Sequence, residues 1–130
     1  MSGEKRVLVV DDDEPIRRLV STVLTRAGFL ITEARNGIEA IQSVKEEAYH
    51  AILLDLMMPL ASGFDVMNWM ASHQKEKLMC VVVMTAATDR EISELNHEVV
   101  YAVMRKPFDL EKLVRVVAEC AGGEAENISG

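Results

Sequence analysis

Four apolar runs in this chain end in a residue able to do chemistry. Asp11 and Asp12 follow "VLVV", Asp55 follows "AILL", Thr85 follows "VVVM", and Lys106 closes "YAVMRK". Singly, each has a bland reading as a turn or surface residue. Jointly they supply three carboxylates, a hydroxyl and an ammonium. Like charges raise one another's pKa, so an acid pair at the lip of a buried strand calls for a positive partner. Donors that are all oxygen suit a hard cation, and magnesium in particular, which favours such ligands and keeps several waters. A carboxylate beside a divalent cation, with a hydroxyl and an ammonium in reach, can attack a phosphoryl group and hold the product. The cation and the lysine would neutralise the transferred oxygens, and the hydroxyl would donate a hydrogen bond.

Such a set works only if the chain brings its members together. Strand-length apolar runs alternate with helical patterns throughout, the signature of a parallel sheet covered on both faces. Strands are expected at Arg6 to Val10, Phe29 to Ala34, Ala51 to Leu54, Met79 to Met84 and Val100 to Met104. A first helix follows Pro15, with Ile16, Leu19, Val20, Val23 and Leu24 at helical spacing and Gly28 as its stop. A second spans about Gly37 to Glu47 with Ile38, Ile41 and Val44 inward. A third opens at Ser62, with Asp65 three residues on, and turns Phe64, Met67 and Met70 to the core. A fifth begins at the N-cap Asp109 and buries Leu113, Val117 and Cys120. The fourth, "TDREISELNHE", has a capping box in Thr88 and Glu91 but only Ile92 and Leu95 as anchors, so it is expected to be short or mobile.

The fold class that results is α/β: five βα units in a doubly wound parallel sheet of order 2-1-3-4-5. In such a sheet ligands bind outside the carboxyl ends of the strands where the winding reverses, here between strands one and three. Asp11, Asp12 and Asp55 should converge there, on strands about 5 Å apart. Lys106 has the reach to cross two strand spacings, about 10 Å, to Asp55.

Composition bounds the remaining classes. The 130 residues suit one domain burying roughly two-thirds of the surface of its unfolded chain. A net charge of -7 leaves no basic footprint and argues against direct nucleic-acid binding. No membrane span or leader is visible, which points to the cytoplasm. Cys80 and Cys120 read as small core residues in a reduced setting rather than a disulfide framework. His50, His73 and His97 fit no ligand pattern. Trp69 and Met57, Met58, Met67 and Met70 read as packing, and Lys75 to Lys77 as a solvated turn. Residues 1–4 are taken as an N-terminal extension, 5–121 as the domain and 122–130 as a flexible tail.

Over residues 5–121 the sequence closely resembles the receiver domains of two-component response regulators, the CheY-like superfamily with a flavodoxin-like fold. "LVVDDDEP", "LLDLMMP", "VVVMTA" and "RKPF" stand in that family's order and spacing. The resemblance implies that Asp55 is the phosphoacceptor. It implies that Asp12 binds Mg2+ directly, Asp11 mainly through water, and the backbone carbonyl of Met57 as a further ligand. Thr85 and Lys106 would contact the phosphoryl group, and the Lys106–Pro107 bond would be cis. The implied partners are a sensor histidine kinase or a histidine phosphotransfer protein and an unidentified downstream effector, with the domain a monomer or weak homodimer. The domain would catalyse only its own phosphorylation and dephosphorylation.

The sequence departs from the family pattern at three places. Before strand five it reads "NHEVVYA", with His97 and Glu98, where the family often has a Gly-Ala turn. Leu60 and Ser62 stand where Gly and Asp are usual after the acceptor. Val103 stands where an aromatic switch is common, with Tyr101 on the same face two residues back. Valine is stiff and short, so the output is expected to pass through Thr88 to Glu98 instead. Two rivals stay open: a small phosphohydrolase of the haloacid dehalogenase type using Asp11 and Asp13, and a receiver-like interaction module that works without phosphorylation.

Overall fold

The structure is a computed structural model that describes residues 4–86, 88–93 and 100–122. Its strands are β1 (Arg6–Val10), β2 (Leu30–Ala34), β3 (Ala51–Leu54), β4 (Val81–Thr85) and β5 (Ala102–Arg105). Between and after them run α1 (Glu14–Arg26), α2 (Gly37–Glu46), α3 (Gly63–His73), a 3-10 helix (Lys75–Cys80), α4 (Asp89–Ser93) and α5 (Leu110–Cys120). All strand pairs are parallel, in the order β2-β1-β3-β4-β5. This is the flavodoxin-like α/β fold expected from the alternation.

Strand alternation divides the core into two layers. Val7, Val9, Leu53, Met84 and Met104 pack with Val20 and Leu24 of α1 and with Leu113 and Val117 of α5. Leu8, Val10, Leu54 and Val83 pack with Ala40 and Val44 of α2 and with Val66, Met67 and Met70 of α3. Each such side chain contributes about 1.5–3 kcal/mol on full burial, which offsets the cost of the charged residues at the strand ends.

The helix starts follow local chemistry. Asp13 caps α1 by accepting the Ile16 N–H at 3.1 Å, and Pro15 sits in the first turn, where a missing N–H costs nothing. Ser62 and Asp65 form a reciprocal capping box at α3, and Asp109 caps α5. Thr88 and Glu91 also cap one another at α4. That helix is described as five residues; the rest of the weak segment, including Leu95 and His97, lies outside the described residues.

Several expectations need correction. The second strand begins at Leu30 rather than Phe29, and the fifth runs over Ala102–Arg105 rather than Val100 to Met104. The inward stripe of α2 is Gly37, Ala40 and Val44, whereas Ile38 is 59 % exposed. On α1, Leu19 likewise faces solvent and the buried stripe is Arg17, Val20, Ser21 and Leu24. Strand four begins at Val81, not Met79. Its first partner is Ile52, level with Val81, and Met79 and Cys80 lie before the paired residues. They finish the 3-10 helix that also contains Lys75 to Lys77, and Met79 is 63 % exposed. Cys80 and Cys120 are both partly exposed rather than core residues.

Candidate functional site

The register brings the charged residues to one edge. Val10 is level with Leu54, so Asp11 and Asp55, each one residue further, are neighbours across the switch point. Backbone bonds hold both: the Asp11 N–H donates to the Ala34 carbonyl at 3.2 Å, and the Asp55 N–H to the Val10 carbonyl at 3.1 Å. Asp11, Asp55 and Lys106 continue the alternation of Val9, Leu53 and Met104, the layer that packs on α1 and α5. Thr85 continues that of Val83 in the opposite layer. It is fully buried, and its carbonyl accepts the Lys106 N–H at 2.8 Å.

Side-chain contacts complete the cluster. The Lys106 ammonium donates to Asp11 Oδ2 at 2.8 Å and to Asp55 Oδ2 at 3.2 Å. The reach to Asp55 was legible from the spacing; the closer contact, to Asp11, was not. Asp11 Oδ1 accepts the Asp13 N–H at 2.9 Å, and Asp55 Oδ1 accepts the Met57 N–H at 3.0 Å. Asp11 and Asp55 are buried while Asp12 is exposed. One carboxylate oxygen from each of the three lies within 4.8 Å of the others.

Burial dominates the acidity of Asp55 and pushes its carboxyl up to about 6. The Met57 N–H and the Lys106 ammonium pull it down, while Asp11 adds to the rise. Burial also works against the Lys106 ammonium, but its bonds and attraction to Asp11 and Asp55 outweigh that and raise its pKa. An all-oxygen donor set on one exposed and two buried carboxylates, with the ammonium neutralising only part of the charge, fits a hard divalent cation.

The loop from β3 to α3 is folded tightly over this cluster. A Cβ on Gly63 would fall on the carbonyl oxygen of Asp55, and one on Gly37 on that of Ala61. The Gly37 N–H donates to the same Ala61 carbonyl at 2.8 Å. Leu60 takes the left-handed conformation, with φ 63°. The Lys106–Pro107 peptide is cis. Asp13, the second carboxylate of the phosphohydrolase alternative, is engaged as the cap of α1.

Sequence reasoning missed Arg17. It lies in the buried stripe of α1, donating to Glu33 Oε1 at 2.7 Å and to the Asp11 carbonyl at 3.0 Å. The signal was present: Arg17 stands at helical spacing from Val20 and Leu24, where an arginine is buried only if paired. His50 is exposed, and its ring Nδ1 accepts the Arg6 N–H at 3.0 Å. His73 stacks on Trp69 with ring centroids 4.4 Å apart.

Residues 7–118 match the response regulator receiver domain. The chain is 34 % identical over 116 residues to the transcriptional regulatory protein GltR of Pseudomonas aeruginosa, covering 88 % of this chain and 48 % of that one. It is 39 % identical over 95 residues to the transcriptional regulatory protein ResD of Bacillus subtilis, covering 73 % and 38 % respectively. The chain thus spans half or less of the length of these relatives. Among solved structures, the response regulator TrrA of Thermotoga maritima, in complex with Mg2+-BeF, superposes with a TM-score of 0.78 at 31 % identity, covering 89 % of this chain and 98 % of that one.

Proposed function

This chain belongs to the response regulator receiver family, and on that premise we propose that Asp55 is its phosphoacceptor, assisted by Lys106 and Thr85. Receiver domains are signalling domains, and the reaction proposed here is one the domain performs on itself. The observation that carries the reading is the Lys106 ammonium set between Asp11 and Asp55 at 2.8 and 3.2 Å.

The residues have separable tasks. An Asp55 oxygen attacks the phosphorus of a phosphohistidine; the new O–P bond forms as the P–N bond breaks, and the imidazole leaves carrying the bond pair and takes up a proton. Lys106 places its charge where the transferred oxygens arrive. The Thr85 hydroxyl, at the end of the adjacent strand, would donate to one of them. The Met57 N–H orients Asp55 through Oδ1. Mg2+ would be held by Asp11, Asp12, Asp55 and the Met57 carbonyl, and when bound it supplies the positive charge that keeps the carboxylates ionised and offsets the incoming phosphoryl group. Burial raises the pKa of Asp55 to about 6, and that charge would favour the ionised carboxylate, the nucleophilic form.

The donor is a sensor histidine kinase or a histidine phosphotransfer protein of the cytoplasm. An apolar groove of Ile16, Leu19, Val20, Pro107, Phe108 and Leu110 runs beside Lys106 and supports docking of such a donor next to Asp55. The functional unit is residues 5–121. Its output passes through the segment from Thr88 rather than an aromatic swing, because Val103 cannot make one.

Intact-mass analysis with Mg2+ and a small phosphodonor tests the reading. Wild type gains one phosphoryl group and Asp55→Asn gains none. Label that persists in Asp55→Asn but disappears in Asp11→Asn returns the phosphohydrolase alternative.

A further inference from the structure

Among the described residues Arg17 is the only buried basic side chain, with 5 % of its surface exposed, and phosphoryl transfer as set out above gives it no task. Its guanidinium makes two directed bonds. Nε donates to Glu33 Oε1 on β2 at 2.7 Å, and Nη1 donates to the backbone carbonyl of Asp11 at 3.0 Å. That carbonyl lies one residue beyond the last paired position of β1, Val10, so Arg17 supplies the donor that a neighbouring strand otherwise would.

The Asp11 carbonyl shares a rigid peptide plane with the nitrogen and Cα of Asp12. Holding the oxygen therefore fixes the direction in which the chain enters Asp12. Asp12 is exposed, and among the described residues its carboxylate has no hydrogen bond or ion pair to orient it. The contrast with Asp11 is complete: its N–H, its carbonyl and both carboxylate oxygens are engaged by Ala34, Arg17, Asp13 and Lys106.

We infer that Arg17 is a positioning residue for the cation site, setting the peptide plane from which the Asp12 carboxylate projects, with Glu33 fixing the guanidinium. Glu33 has a second part. A bare guanidinium this close to the acidic loop would repel a divalent ion, and the carboxylate at 2.7 Å, which also faces the exposed Arg18 at 3.7 Å, offsets that charge. The planar fork matters because one lysine ammonium cannot reproduce both directed bonds in the same geometry.

The inference rests on Asp11, Asp12 and Asp55 holding Mg2+, so the experiment separates the two. Mg2+ alone is titrated calorimetrically into the full, metal-free chain, unphosphorylated, for wild type, Arg17→Met, Arg17→Lys and Glu33→Gln, with thermal unfolding in chelator alongside. Arg17→Met should weaken Mg2+ affinity about tenfold, the lower end of what partners of metal ligands contribute. Arg17→Lys should fall between it and wild type, and Glu33→Gln should show a smaller loss in the same direction. Saturating Mg2+ should restore phosphoryl labelling in each. If Arg17→Met does not fold, Arg17→Lys carries the measurement. Wild-type Mg2+ affinity in a folded Arg17 variant, whatever its unfolding temperature, overturns the inference and makes Arg17 a structural clip. A wild-type chain that neither binds Mg2+ nor takes label removes the site reading beneath it.

Discussion

The two edges of the sheet are closed by opposite kinds of chemistry. At the carboxyl edge, two buried carboxylates meet an ammonium within 3.2 Å. At the amino edge the closure is mild: an exposed ion pair from Arg6 to Glu47 at 3.3 Å, the His50 imidazole, whose pKa is lowered by partial burial and by the charge of Lys5, and the Cys120 thiol, pushed up to about 12 by burial and the nearby Cys80, resting 3.4 Å from the Cys80 carbonyl. The same strands end in both places, so the difference lies in what the end residues are asked to hold. One edge carries charge that the fold alone would not select; the other carries groups that are uncharged or solvated.

Removing Lys106 should break this contrast most sharply. Lys106→Met leaves Asp11 and Asp55 facing each other without a counter-charge, and loss of one partner from a largely buried pair costs about 2–4 kcal/mol. Urea unfolding in chelator should record that loss, and excess Mg2+ should recover much of it by supplying the missing charge. A loss of equal size with and without Mg2+ would mean that the lysine acts by packing rather than charge.

A smaller effect should appear with pH. The folded state holds the Asp55 proton more tightly than the unfolded chain, because the pKa rises from 3.8 to about 6. Protonation therefore stabilises, and the contribution is lost as pH rises from about 4 to 6, then stays constant. Comparing chelated wild type with Asp55→Asn cancels the other carboxylates. The variant should be more stable by about 1–3 kcal/mol at pH 7, and the two should converge below pH 4. Parallel stability curves across that range would show that Asp55 titrates normally.

The amino edge should give the smallest response. Glu47→Gln removes the charge of an exposed pair and should alter unfolding free energy by no more than about 0.5 kcal/mol, with no change in Mg2+ affinity. A change comparable to that of Lys106→Met would erase the distinction between the edges.

The strand ends were legible because burial on both faces writes uninterrupted apolar runs, and a charged residue that closes one is conspicuous. Asp11, Asp55, Thr85 and Lys106 all announced themselves in this way. Elements on the surface were less legible. The second helix turns Ala40 rather than Ile38 inward because Gly37 must lie against Ala61, a contact no periodicity reports. The start of β4 is hidden because Met79 and Cys80 continue the apolar run although they close the preceding 3-10 helix. Arg17 was missed because one of two adjacent arginines reads as solvated, and its partners, Glu33 and the Asp11 carbonyl, come from other elements. Residues 94–99, where the rest of the fourth helix is expected, lie outside the described residues.

The backbone around Asp55 restricts side chains for two different reasons, and that divides its tolerance to mutation. Positions 37 and 63 are closed by contact: any side chain meets the Ala61 or Asp55 carbonyl, and no rotamer avoids a clash at the β-carbon. Position 60 is restricted only by conformation, since Leu60 is 76 % exposed and its φ of 63° costs about 1–2 kcal/mol for a residue with a β-carbon. A penalty of that size can be carried by a folded domain, whereas a steric collision cannot. Substitution should therefore be tolerated at 60 and resisted at 37 and 63, although 60 and 63 are only three residues apart in the chain.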